Sequence, residues 1–336
     1  MKERFNLLGI SVSELPAERI ERSTAEVHGL LQSFSEIVAT VGVQYDIELD
    51  LLIVESLEPH VDRIMTDHGR LEMVGPYRSG RQTVAAQAIT LRDPRHSHVR
   101  ATIVMNRLFW LADIGDSVLT RVHLLTHELG HVLQQARGIS DWRRARQPIT
   151  THAENIRRAA LILWEEYDAD RFSYCFCRAV CRTADAGPLS FVNAFGRGML
   201  NSGTELLDRL CVFVGNDVQG YRRTGKGLET LYPKGISILG ELLLVLSHAA
   251  AAYSVEESLE DLTTALSAQR GFSAYLSEDW DAFLSALGDC DRATEAEGGL
   301  SLLIDRVISR TGLEIQDLPD GGMYIHVTAP TICTES

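Results

Sequence analysis

The stretch Thr126-His127-Glu128-Leu129-Gly130-His131 constrains this chain more than any other. It has the form H-E-x-x-H and falls inside a helical pattern running from about residue 117 to 137. Residues four apart share a helix face, so His127 and His131 can offer ring nitrogens to one metal ion. Glu128 projects beside them, where a carboxylate can take a proton from a metal-bound water. Val118, Val122, Leu125, Leu129 and Val132 form an apolar stripe on another side of the same helix. That stripe anchors the helix in a core and leaves the histidines to face a different neighbour. Asp116 or Ser117 is the expected N-cap, and Gly138 the stop. His123 sits one turn before His127. Three histidines up one helix cannot all reach one tetrahedral ion, so His123 is read as a packing or supporting residue.

A catalytic zinc site takes three protein ligands and keeps one position open for water. The third ligand must therefore come from another element. Thr151 with Glu154 forms a capping-box signature at the start of a long helix reaching about Arg182. Glu166, Asp170, Tyr174, Cys177 and Cys181 lie along one side of it. Two antiparallel helices joined by a short loop can place Glu166 opposite the histidine pair. Asp170, one turn on, can accept the second ring N–H of a ligand histidine and fix its tautomer. Glu165, Asp168 and His152 compete for the third position, although Glu165 and Asp168 point away from the Glu166–Asp170 face.

His127-Glu128-x-x-His131 followed by Glu166-x-x-Ala169-Asp170-Arg171 resembles the gluzincin zinc metallopeptidases. In form it is most similar to HtpX-like and CAAX-protease-like enzymes, whose downstream motif reads E-x-x-A-D with a following basic residue. Intracellular ImmA/IrrE-type peptidases share the first motif with an Asn-bearing second one. The resemblance covers roughly residues 83 to 182. It implies His127, His131 and Glu166 as ligands of one zinc ion per chain. It further implies Glu128 as the general base, and Asp170 as a carboxylate supporting a ligand. The substrate implied is a protein or peptide, held as an extra strand on a sheet edge; residues 99–106 are the expected edge. An oxyanion stabiliser should lie near the metal, with Arg171, Tyr174 and His248 as candidates. The alternative is a non-catalytic binding or regulatory module that keeps the zincin fold.

The rest of the chain gives an α+β reading. A helix is expected over 17–40, where Ile20, Val27, Leu30, Leu31, Phe34 and Ile37 share one face. Alternating strands are expected over 41–53, 83–91 and 99–106, with a loop across 66–82. Beyond residue 187 the pattern becomes helical, over about 190–215, 236–252, 256–269, 278–288 and 299–310. Residues 220–227 read as a surface connection, and residues 313–327 as a hairpin. The expected organisation is a zincin-like domain over 1–185, with a small, mostly antiparallel sheet. A mainly helical region with a terminal β-hairpin follows over 186–336.

Composition narrows the partners. Lys plus Arg is 32 against 46 Asp plus Glu, a formal charge of −14. That balance argues against nucleic acid, which needs a basic footprint. The six cysteines do not fit a disulfide framework and read as free, mostly buried thiols. The start lacks the apolar region of a secretory signal. Residues 236–255 are long enough for a span, but Glu241 and His248 inside them favour a buried core helix. The multi-span helices of HtpX-like enzymes are absent. The expectation is a soluble, cytoplasmic relative.

Overall fold

The computed structural model describes residues 4–12, 27–34 with 21, 25 and 36, 46–67, 86–92, 98–106, 117–136, 151–181, 190–288, 293–320 and 322–331. The fold is α+β, mostly helical, with one small sheet and one hairpin. The chain forms two compact units. The first comprises Met1–Trp142 with Phe172–Gly187, and the second Arg143–Arg171 with Pro188–Ser336.

In the first unit, β1 (Arg4–Val12), β2 (Asp46–Val54), β3 (Ala86–Arg92) and β4 (His98–Asn106) form a sheet in the order β1-β2-β4-β3. β1 and β4 each run parallel to β2, and only β3 is antiparallel to its neighbour. The expected mostly antiparallel sheet is thus corrected. Parallel neighbours need a crossover rather than a tight turn. The helical segment at 27–34 lies between β1 and β2 in the chain, whereas β3 and β4 are joined by a short connection. β1 escaped the sequence reading because its register shifts between Leu7 and Gly9. In sequence the apolar residues at 5 and 7 are out of phase with those at 10 and 12, so the period of two is interrupted where the register shifts.

β4 is also not an edge. It is paired on both sides, and β3 closes that side of the sheet. Ile47, Leu49, Leu51 and Ile53 of β2 are all buried, as are Ala101, Ile103 and Met105 beside them on β4. α1 (Leu57–Asp67) covers the opposite face, packing Leu57, Val61 and Ile64 on Leu52, Val54 and Val104. Pro59 reads as the end of a segment in sequence. In the structure it occupies the first turn of α1, where a missing N–H costs nothing. α2 (Ser117–Ala136) packs against β3 and β4. From the helical segment at 27–34, Val27, Leu31 and Phe34 are buried, and Phe34 meets Phe172 and Phe176 at ring-centroid distances of 5.5 and 5.8 Å.

α3 (His152–Cys181) is one unbroken helix whose residues are shared between the two units. The capping box at its start forms both bonds. Thr151 N donates to Glu154 Oε2 at 3.2 Å, and Glu154 N donates to Thr151 Oγ1 at 3.1 Å. The second unit continues through α4 (Arg197–Val212), α5 (Gln219–Thr224), α6 (Leu228–Val255), α7 (Leu259–Ser267), α8 (Arg270–Tyr275), α9 (Trp280–Gly288) and α10 (Ala293–Arg310). The expected connection at 220–227 is therefore helical as far as Thr224. Gly225 and Gly227 then take left-handed φ values of 66° and 89°, which turn the chain into α6.

α6 is long and apolar enough to cross a membrane, and 67% of its most apolar window is buried within the protein. Gly203 of α4 accommodates Leu246 of α6, which lies 2.9 Å from where a Cβ would stand. The two helices pack closely there. The hairpin forms as expected from β5 (Leu313–Asp317) and β6 (Met323–Val327). Cys177 is buried, Cys211 half-buried and Cys175 exposed. Asp116, Gly138, Ile20, Ile37 and residues 41–45 lie outside the described residues.

Candidate metal centre

α2 carries the motif at its middle, on a helix whose Val122, Leu125, Leu129 and Val132 are buried in the first unit. His127 and His131 are half-buried one turn apart. Their Nε2 atoms face each other at 3.1 Å, and their rings are nearly perpendicular, at 85°. Two nitrogens on one tetrahedral zinc, each about 2.0–2.1 Å from the ion, stand about 3.3 Å apart. The spacing of the pair is close to that of two nitrogens on one metal ion. Glu128 is buried at 7% exposure, which keeps its carboxylate out of bulk water.

His131 is fixed from behind. Its Nδ1 lies 3.0 Å from Gln134 Oε1, one turn on along α2, and Gln134 is buried. His123 occupies the turn before the motif. Its Nδ1 lies 2.9 Å from Ser173 Oγ, and its ring stacks on Tyr174 at 4.7 Å and 8°. Ser173 Oγ is also 2.6 Å from Thr126 Oγ1 and donates to the His123 carbonyl at 2.9 Å. These bonds join the C-terminal part of α3 to α2 within the first unit. His123 thus packs against Tyr174 and bonds Ser173 within the first unit.

Asp170 lies one turn before Tyr174 and Glu166 two turns before it, on the same face of an unbroken helix. Both carboxylates stand on the part of α3 that belongs to the second unit. Asp170 is buried and Glu166 half-buried.

The remaining candidates fall in different surroundings. Asp170 Oδ2 pairs with His248 Nδ1 of α6 at 2.6 Å, so His248 engages the acidic residue expected to support a ligand. Tyr174 is buried with its ring against His123. Arg171 is half-buried. His152, a competing third ligand, is buried in the second unit. Its Nδ1 lies 3.1 Å from Tyr232 Oη, and its Nε2 lies 3.1 Å from Asp305 Oδ1. Asp317 then accepts the backbone N–H groups of His152 and Ala153, at 2.6 and 3.0 Å. His152 therefore acts as a joint between α3, α6 and α10. Among the residues missed in sequence are Gln134, Thr126 and Ser173. Only Gln134 left a local signal, its spacing of three from His131.

The chain matches no protein-family model, no curated protein and no solved structure with which it was compared.

Proposed function

We propose that this chain is a soluble, cytoplasmic, zinc-dependent metallopeptidase that hydrolyses peptide bonds in a protein or peptide substrate. The observation that carries the reading is the convergence of the His127 and His131 Nε2 atoms at 3.1 Å, with Glu128 next in the chain to His127. A purely structural zinc site closes its fourth position and needs no adjacent carboxylate. The E-x-x-A-D sequence at Glu166–Asp170, with its likeness to gluzincins, supports Glu166 as the third ligand over Asp170.

When bound, zinc supplies a Lewis acid that lowers the pKa of water and polarises a carbonyl. His127, His131 and Glu166 would hold the ion. Glu128 accepts the proton of the attacking water and later delivers it to the leaving amine. Asp170 of α3 pairs with His248 of α6, whose imidazole is a candidate stabiliser of the developing oxyanion. Substrate adds as a strand along β3, which closes the β4 side of the sheet in place of the edge expected at β4.

Metal analysis of the wild type beside Glu128→Gln and Glu166→Ala tests the reading. The wild type should carry about one zinc per chain, as a three-ligand site requires. Glu128→Gln should keep the metal and lose cleavage by about 10²–10⁴-fold, the usual contribution of a general base. Cleavage surviving in that variant sinks the mechanism. Stoichiometric, firmly held zinc in Glu166→Ala sinks the choice of third ligand. Comparing cleaved protein termini in cells expressing wild type or Glu128→Gln identifies the substrate. The absence of any difference there favours a binding module.

A further inference from the structure

We infer that Gln134 is a positioning residue for the metal, setting the tautomer of His131 through the bond between its Oε1 and the His131 Nδ1. The inference rests on the zinc reading above. A neutral imidazole carries one N–H, and a ligand nitrogen must present a lone pair. An amide oxygen can only accept. Gln134 Oε1, 3.0 Å from Nδ1, therefore places the proton on Nδ1 and leaves the lone pair on Nε2. That Nε2 is the atom 3.1 Å from His127 Nε2. The bond thus selects the tautomer in which both histidines can serve one ion.

Position and burial make the bond persistent. Gln134 is three residues beyond His131, so the two side chains are neighbours on the α2 surface. It is 3% exposed, which shields the bond from competing water. The side chain has the same helical frame as the histidine it serves, so the orientation is set as α2 forms. An amide also differs from the carboxylate that often backs a ligand histidine. It is neutral and orients the ring without adding negative charge to the site. A Glu at 134 would raise the basicity of His131 as well as orient it.

The test uses full-length protein with zinc competed against a chelator, in wild type, Gln134→Met and Gln134→Glu. ¹⁵N chemical shifts of the His131 ring in the metal-free wild type give the tautomer directly. Removing such a partner typically lowers metal affinity about 10- to 100-fold. Gln134→Met should show that loss, and Gln134→Glu should restore wild-type affinity or exceed it. The metal-free wild type should show His131 protonated at Nδ1. Equal zinc affinity in wild type and Gln134→Met overturns the inference while leaving the zinc site standing. A His131 ring protonated at Nε2 overturns it even if Gln134→Met does not fold. A wild type that binds no zinc while His131 is protonated at Nδ1 overturns the peptidase reading and leaves the tautomer assignment intact.

Discussion

The two histidine clusters at α2 and at the start of α3 have similar partners and opposite purposes. At His152, each ring nitrogen meets a protein oxygen, Tyr232 on one side and Asp305 on the other. At His131, one nitrogen meets Gln134 and the other meets the Nε2 of a second histidine. A ring bonded to oxygen at both nitrogens joins helices. A ring held at Nδ1, with Nε2 turned toward another imidazole, is the arrangement on which the proposed metal site rests. Sequence offered His152 as a competing ligand because a residue type does not reveal where its second nitrogen goes. The hydrogen bonds separate the two cases.

The comparison breaks most readily if the two histidines are exchanged for alanine. His131→Ala should abolish stoichiometric zinc binding while the metal-free protein still folds. His152→Ala should keep zinc and lower stability by about 1–3 kcal/mol, because buried partners lose their hydrogen bond. Metal analysis beside denaturant unfolding measures both. A zinc-free His152→Ala that still folds would remove the distinction.

Ser173→Val sharpens the comparison from the α2 side. It deprives His123, Thr126 and the His123 carbonyl of a shared partner, at a cost of about 1–3 kcal/mol. It should also weaken zinc binding, because Ser173 ties α3 to α2 three residues beyond Asp170 and seven beyond Glu166. A loss of stability with unaltered zinc affinity would show that this attachment does not set the donors. Asp317→Ala acts at the other end of α3. Two backbone N–H groups lose their acceptor, so stability should fall by about 1 kcal/mol, the usual worth of a helix cap, with zinc affinity unaffected.

The smallest effect concerns pH. Burial pushes the Tyr232 phenol above its ordinary range, partly offset by the bond it accepts from Asn155. The folded protein thus holds this proton more tightly than the unfolded chain does. The contribution is complete below the unfolded pKa of about 10 and is lost as pH rises through the folded value. Tyr232→Phe should flatten the alkaline decline in stability. An unchanged slope between the wild type and this variant would count against the assignment; Tyr253, also raised by burial, is the group to vary next.

The parts legible in sequence were those written in local spacing. The α2 helix, the reciprocal cap of Thr151 and Glu154, and the 313–327 hairpin each follow from residues close in the chain. The misread parts depend on context. Pro59 follows the strand run it was read as ending, but it also occupies the first turn of α1, a helix the sequence reading passed over. The bulge in β1 erased the alternation that marks a strand. The place of β4 in the sheet required β1 and β2 beside it, which no pattern within residues 98–106 can report.

For the metal centre the division is similar. Sequence alone determined that His127 and His131 share a helix face, because helical periodicity is local and fixed. It also brought Glu128 next to them, and Glu166 and Asp170 to one side of a second helix. Only the tertiary structure decided that Asp170 engages His248, that His123 rests on Ser173 and Tyr174, and that His152 is a joint. Those outcomes depend on which side chains meet across 50 to 153 residues of sequence. Periodicity tells which way a side chain points along its own helix. The partner it meets is set by how that helix packs.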